Sequence, residues 1–127
     1  IVAVSKGKDR PGEVLSRWSS LKHLMVDSKV QAYISGHHHA WFSSRLDDLD
    51  LIQLGALGSG PRSLLHGGPH PQQTYTLLDI DLQRYSLTET TYVVSTGQQL
   101  SWTSVPTELV TRRGILRRNL PTRSLLG

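Results

Sequence analysis

Cysteine is absent from the 127 residues, which excludes disulfides, thiolate zinc sites and a thiol nucleophile and leaves reducing and oxidising compartments equally open. Phenylalanine and methionine occur once each, so a core must be built from Leu, Val and Ile with a few Trp and Tyr. The hydrophobic share of 37% is a little under that of a typical globular domain and permits only a small core. No stretch approaches the roughly 18–20 apolar residues that span a bilayer. No charged-then-apolar leader is visible either, and the sequence leaves localisation unassigned. Acidic residues are missing after Glu108, whereas Arg112, Arg113, Arg117, Arg118 and Arg123 fall within the last sixteen positions. Such a basic end has the charge to meet nucleic acid or an acidic membrane surface. No aromatic residue is interleaved among these arginines, so the stacking platform of single-strand binders is missing. We read the segment as solvated, which speaks against nucleic acid as a partner.

What is present has an α/β rhythm. The chain opens on IVAV without an initiator Met, which reads as a short buried strand entered partway through a protein, or equally as a processed N-terminus. A polar loop follows, and Pro11 suits the first turn of a helix. Val14, Trp18, Leu21 and Met25 recur at three- and four-residue steps, with Leu15 and Leu24 widening the stripe. This spacing predicts an amphipathic helix of about five turns ending near Lys29. Residues 30–35 then read as a strand stopped by Gly36. Strand, helix and strand within 35 residues have the size of a right-handed crossover with parallel strands. That arrangement puts Gly36-His37-His38-His39 at a carboxyl strand end, where open α/β sheets bind ligands.

Residues 49–54 look like a further strand, leading into the glycine-rich GALGSGPR. Residues 62–73 carry the Gly and Pro punctuation of a loop. Residues 74–81 and 85–94 form an expected β-hairpin, with Glu89 breaking the apolar face of its second arm. After Ser95 the pattern fades, and Pro106 and Pro121 bracket what reads as a basic, weakly ordered tail. The division is therefore residues 1–95, one structured portion, and 96–127, the tail, with no internal repeat.

The three consecutive histidines are half of the chain's six. In an extended segment, His37 and His39 point the same way and His38 the other. Two imidazoles about 6.6 Å apart along one face can each reach a metal ion, and ions of a two-metal site lie roughly 3.5–4 Å apart. Gly36 allows a sharp turn or a close approach of backbone just before them. An isolated His-x-His pair is often incidental. Here the apolar strand before it and Trp41-Phe42 after it make a solvated surface cluster the less natural reading.

A strand closing on Ser35-Gly36-His37-x-His39 after a helix is similar to the last signature of the calcineurin-like metallophosphoesterases. So is the sequel of apolar strand, glycine-rich turn and hairpin. The resemblance covers roughly residues 1–94, with Gly36, His37 and His39 as its specific anchor. It leans toward the bacterial branch with acid-phosphatase-like members. It implies a partial calcineurin-like α/β sandwich, a strand-helix-strand crossover followed by mostly antiparallel strands. It also implies a dinuclear site of manganese, iron or zinc, in which His37 ligates one ion and His39 the other. The activity it implies is hydrolysis of a phosphoester by metal-activated hydroxide, with both ions stabilising charge on the phosphoryl oxygens. His38 would occupy the variable position, facing the substrate or packing on Trp41. The family's earlier signatures, Asp-x-His, Gly-Asp-x-x-Asp and Gly-Asn-His, do not occur; the sole asparagine is Asn119. Two histidines cannot hold two ions, so bridging carboxylates and an asparagine must come from outside residues 1–127. The expectation is that the full-length protein is a hydrolase and that this chain carries only its last ligand motif. A degenerate homologue that kept the fold and lost the metals, or a non-catalytic interaction module, is the alternative.

Other groups carry less. Gly55-x-x-Gly58-x-Gly60 with Arg62 is not a nucleotide fingerprint, because Pro61 follows at once. Exposed backbone donors and Arg62 could still meet a substrate phosphate there. Asp47, Asp48 and Asp50 read as a solvated turn, and Asp79 and Asp81 as a wet hairpin face. His66 and His70 lie in the Gly/Pro-rich loop, where they could line a rim. A cupin would need a glutamate between Ala40 and Leu46, and a metallo-β-lactamase an Asp-His where Ala40-Trp41 stand; neither is present.

Overall fold

The computed structural model describes residues 1–126. Among them are one helix, α1 (Trp18–Asp27), and eight strands: β1 (Ala32–Ser35), β2 (Phe42–Leu46), β3 (Leu49–Gln53), β4 (Thr74–Asp81), β5 (Ser86–Val93), β6 (Glu108–Thr111), β7 (Gly114–Arg118) and β8 (Thr122–Ser124). They form a five-stranded sheet in the order β1-β3-β2-β7-β6 and a three-stranded sheet in the order β4-β5-β8. Content is mixed α/β but dominated by strands. Among the described residues the only parallel pairing is β1 with β3; the other strand pairings are antiparallel.

The expected crossover unit loses its first strand. Residues 1–4 are buried but pair with a loop, not with β1. Leu65 N donates to Val4 O at 2.8 Å, Lys6 N donates to Ser63 O at 3.0 Å, and Ser5 forms an isolated bridge with Leu64. The helix is also shorter than its periodicity predicts. Pro11-Gly12 closes a turn, with Gly12 at φ 88 and Glu13 N donating to Arg10 O at 3.2 Å, so helical geometry begins only at Trp18. No side chain caps its start and no acid sits in its first turn, which leaves the orphan amides and the dipole uncompensated. Its other end is well closed. Lys29 turns left-handed at φ 58, and the amides of Ser28, Lys29 and Val30 reach back to Leu24, Val26 and Met25 carbonyls, in the manner of a left-handed C-cap.

The five-stranded sheet is covered on both faces, as the complete burial of β3 shows. One face is apolar. Register partners share a face of an antiparallel pair, and Phe42, Leu46, Leu49 and Leu51 join Val2, Val4 and Met25 in a single cluster. Each such side chain contributes roughly 1.5–3 kcal/mol by burial. The other face is polar. Ser43 and Arg45 lie opposite Ile52 and Asp50 and look toward β5, whose inner residues Leu87, Glu89, Thr91 and Val93 are buried. The hairpin of β4 and β5 forms as expected, paired from Thr74↔Val93 to Asp81↔Ser86.

The segment expected to be a weakly ordered tail is built into both sheets. Leu109 of β6 opposes Leu116 of β7, both fully buried, and the pair turns at Gly114, which adopts φ 133. Strand β7 then joins β2 through Ser44↔Arg118 and Arg45↔Arg117, and β8 joins β5. Arginine-rich composition masks these strands: Leu109 and Leu116 point inward, Arg117 lies outside at 69% exposure, and Arg118 and Arg123 are tied between elements, to the Val105 carbonyl and to Glu89.

Candidate functional site: the histidine turn

Strand β1 ends at Ser35, and Gly36-His37-His38-His39 turns the chain toward β2. Because β3 runs parallel to β1, the glycine-rich loop after Gln53 leaves the sheet at the same end. The two connections are stitched together. Leu54 N donates to Ser35 O and Arg62 N to His39 O, both at 2.8 Å, and the His39 Nδ1–H donates to Gly60 O at 2.9 Å. Thus the structure brings the histidine run and the GALGSGPR turn to one strand-end edge, the position at which α/β sheets collect ligands.

The histidines are not extended. His37 and His39 adopt φ 77 and φ 59, in the left-handed region that L-residues rarely enter. Alternation therefore fails as a guide to direction here. The rings of His37 and His38 lie 5.8 Å apart and both turn to Glu13, while His39 turns to Gly60. His37 Nε2 bonds the Glu13 carboxylate. His38 Nε2–H donates to the Glu13 backbone carbonyl at 3.2 Å, and Ser5 Oγ donates to His38 O at 2.6 Å. Expected to face a substrate or to pack on Trp41, His38 is instead buried at 3% exposure with its Nδ1 unpartnered.

Glu13 is the residue that sequence reasoning passed over. The helix expected to begin at Pro11 would contain it; the turn at Pro11-Gly12 frees it to reach the histidines. That dipeptide is a turn signal in its own right. Its carboxylate is also held by Arg10, 2.8 Å away, and Lys8, 3.5 Å away. Arg10 above all, then His37, holds it down at about 2, with burial opposing them and Lys8 adding to the lowering. Burial pushes His38 below its ordinary value, partly offset by its bond to the Glu13 carbonyl.

Arg62 lies with His39 and His70 around a small hollow of about 40 Å³. Its guanidinium leans over Gly7 and donates weakly to Lys6 O at 3.5 Å; a Cβ on Gly7 would stand 2.6 Å from Arg62 Nη1. His66 is spent on the Val110 carbonyl at 2.9 Å. A wider open hollow of about 480 Å³ lies on the other side of the turn, lined by Glu13, His37, His38, Tyr33 and Gln53. As a metal centre the donor set is partial. His37 and Glu13 are one imidazole and one carboxylate in contact, but Lys8 and Arg10 already neutralise that carboxylate. Among the described residues no three His, Asp or Glu side chains gather around a common point. The residues present do not complete a dinuclear site; further carboxylates would have to come from elsewhere. No helix among the described residues is long and apolar enough to cross a membrane. Compared with protein-family models, curated proteins and solved structures, the chain finds no significant match.

Proposed function

We propose that this chain is the C-terminal part of a metal-dependent phosphoesterase of the calcineurin-like kind, in which His37 and His39 serve as ligands. The observation that carries this reading is the meeting of the two loops. The Gly36–His39 turn and the GALGSGPR turn leave neighbouring parallel strands at the same edge and are tied through His39. His39, a glycine-rich backbone and Arg62 beside one hollow, with His37 on the other side of the same turn, suit a phosphoester, whose oxygens need positive charge and amide donors. Arg62 is the side chain for substrate contact in this reading; His38 supports the turn from beneath.

The test uses the full-length protein and manganese-dependent hydrolysis of a generic aryl phosphate. Loss of a residue that only supports a metal ligand costs about 10–100-fold, so His37→Ala and His39→Ala should each lower turnover by at least about 100-fold. Variants that match the parent would remove both histidines from the site. A second reading has its own observation: His37 is tied to Glu13, which Lys8 and Arg10 also hold, as in a homologue that kept the scaffold and lost the metals. Manganese titrated into the full-length protein by calorimetry separates the two, since the scaffold reading expects no heat of binding.

A further inference from the structure

At the opposite end of the parallel pair from the histidines, the two sheets diverge and leave an open cleft of about 1160 Å³. Six cations line it: Lys29, Arg45, Arg113, Arg117, Arg118 and Arg123. Against them stand three carboxylates, Asp47, Asp48 and Asp50, and these are largely committed. Asp47 is engaged by Lys22, and Asp50 is divided between Arg45 at 2.8 Å and Arg123 at 3.1 Å. Arg113 and Arg118 donate only to backbone carbonyls, of Ile1 and Leu15 and of Trp102 and Val105. Among the described residues their charge meets no carboxylate.

The pairing of β2 with β7 adds a specific feature. Arg45 and Arg117 are direct register partners and so lie side by side on one face, where like charges destabilise a sheet. Their side chains are 49% and 69% exposed. Each gives one nitrogen to a carboxylate, Asp50 and Glu108 respectively, leaving the rest of each guanidinium fork free. An oxyanion placed between them would relieve the repulsion and take charge-assisted bonds from both.

The rest of the lining selects among anions. Val30, Ile115, Leu120 and Leu126 expose aliphatic surface in or beside the cleft, and no aromatic ring lines it. Nucleic-acid bases would find nothing to stack on, and a bilayer surface does not enter a concave space. A peptide carries both carboxylates and aliphatic side chains. Strand β8 closes its sheet as an outer strand and offers an unpaired backbone edge for strand addition. We propose that this cleft docks an extended acidic peptide of a partner protein. Its carboxylates bridge Arg45 and Arg117, and its aliphatic residues lie on Leu120 and Leu126. This stands apart from the histidine turn and is independent of the reading given to it.

The experiment is fluorescence anisotropy of the 127-residue chain with a labelled peptide alternating glutamate and leucine. A lysine-leucine peptide, a single-stranded oligonucleotide and vesicles rich in phosphatidylserine serve as the other arms. Saturable binding of the acidic peptide, weakened by salt and lowered at least about tenfold by the double change Arg45→Glu with Arg117→Glu, is expected. Arg84→Glu, in the β4–β5 turn outside the cleft, should leave it unchanged. Because a glutamate at 45 would face Asp50, Arg45→Gln with Arg117→Gln repeats the test without new repulsion, and circular dichroism confirms the fold of each variant. No saturable binding, equal loss in Arg84→Glu, or tighter binding of the oligonucleotide or vesicles would overturn the proposal.

Discussion

At the histidine turn, two imidazoles and a carboxylate sit at or near the surface, with His38 buried between them, on a backbone that is left-handed at His37 and His39. Between the sheets, Glu89 lies at 1% exposure on regular strand backbone, taking hydrogen bonds from Trp41 Nε1 at 2.8 Å, Ser43 Oγ at 2.7 Å and Arg123 Nη2 at 3.2 Å. Both regions are polar, yet they stand in different relation to the fold. The Glu89 cluster ties β2, β5 and β8 across the interface, so removing any member leaves a buried charge or donor short of a partner. The turn is held by few bonds near solvent, and its backbone strain is maintained by the loops on either side. The lesson is that chemical density in a sequence and mechanical importance in the structure are separate properties.

The comparison is broken most forcefully at Glu89. Glu89→Ala orphans the Trp41 and Ser43 donors and leaves Arg123 with Asp50 alone. Breaking a buried pair in this way costs about 3–5 kcal/mol, a large share of the roughly 5–15 kcal/mol that keeps a domain folded. Urea unfolding at neutral pH should show the midpoint collapse, and a loss under about 1 kcal/mol would mean that the cluster is not structural. Glu89→Gln keeps shape and one acceptor and should cost only about 1–2 kcal/mol.

Next in size is Gly55, which follows β3 where the chain crosses toward the second sheet. A Cβ there would meet Thr74 Oγ1 at 2.0 Å and Trp41 N at 3.5 Å. Overpacking of this kind costs about 1–3 kcal/mol. Thr74 Oγ1 is buried without a partner, so the hydroxyl is the part that can yield. Thr74→Ala combined with Gly55→Ala should recover most of the loss in the same unfolding measurement. Failure to recover would mean that the loss does not come from the Thr74 hydroxyl.

These two positions also mark where the sequence was and was not legible. The β4–β5 hairpin, β3 and the loop of residues 62–73 could be read because alternation and Gly/Pro punctuation are local signals. Glu89 was noticed only as a flaw in an apolar face. Its meaning depends on Trp41, Ser43 and Arg123, which are far from it in the chain and not predictable from its neighbours. The last strands were missed for a related reason: arginines dominate the composition of residues 112–123, while the alternation that pairs Leu116 with Leu109 is short. At the histidine turn, the residue types and the strand end were legible, but directions were not. Two left-handed residues in a run of four undo the period-two rule on which the pairing of His37 with His39 rested. The role of Glu13 needed the helix to start seven residues later than its hydrophobic stripe implies, at Trp18 instead of Pro11.

A pH series sharpens the contrast from the side of the turn. His38 is held below its ordinary 6.5 by burial, so on acidification the unfolded chain takes up a proton before the folded one does. Stability should therefore be intact above about pH 7 and fall as pH drops through 6.5 toward the folded value. The slope ends once both states are protonated. His38→Gln, which cannot titrate, should flatten that slope in urea midpoints taken across the window. Glu13 acts lower down. Held at about 2 against an ordinary 4.5, it contributes above 4.5 and loses that contribution as pH falls toward 2, so Glu13→Gln should lower stability across the range above 4.5 and remove the slope between 4.5 and about 2. A slope near pH 6.5 that survives in His38→Gln would point to another group.

The smallest expected effect is at His39. Glycine accepts φ 59 without the steric cost that histidine meets there, which favours His39→Gly by about 1 kcal/mol. The unfolded glycine chain loses more entropy on folding, about 0.5–1 kcal/mol, and the exposed bond to Gly60 O goes as well. These contributions nearly cancel, so the unfolding midpoint should move by less than about 0.5 kcal/mol. In the full-length protein the same substitution should still abolish aryl phosphate hydrolysis if His39 is a ligand. A residue whose loss leaves stability untouched while removing activity is held in a strained conformation for chemistry. If instead His39→Gly destabilises the chain by more than about 1 kcal/mol, the turn is part of the scaffold, and its likeness to the Glu89 cluster is closer than the geometry implies.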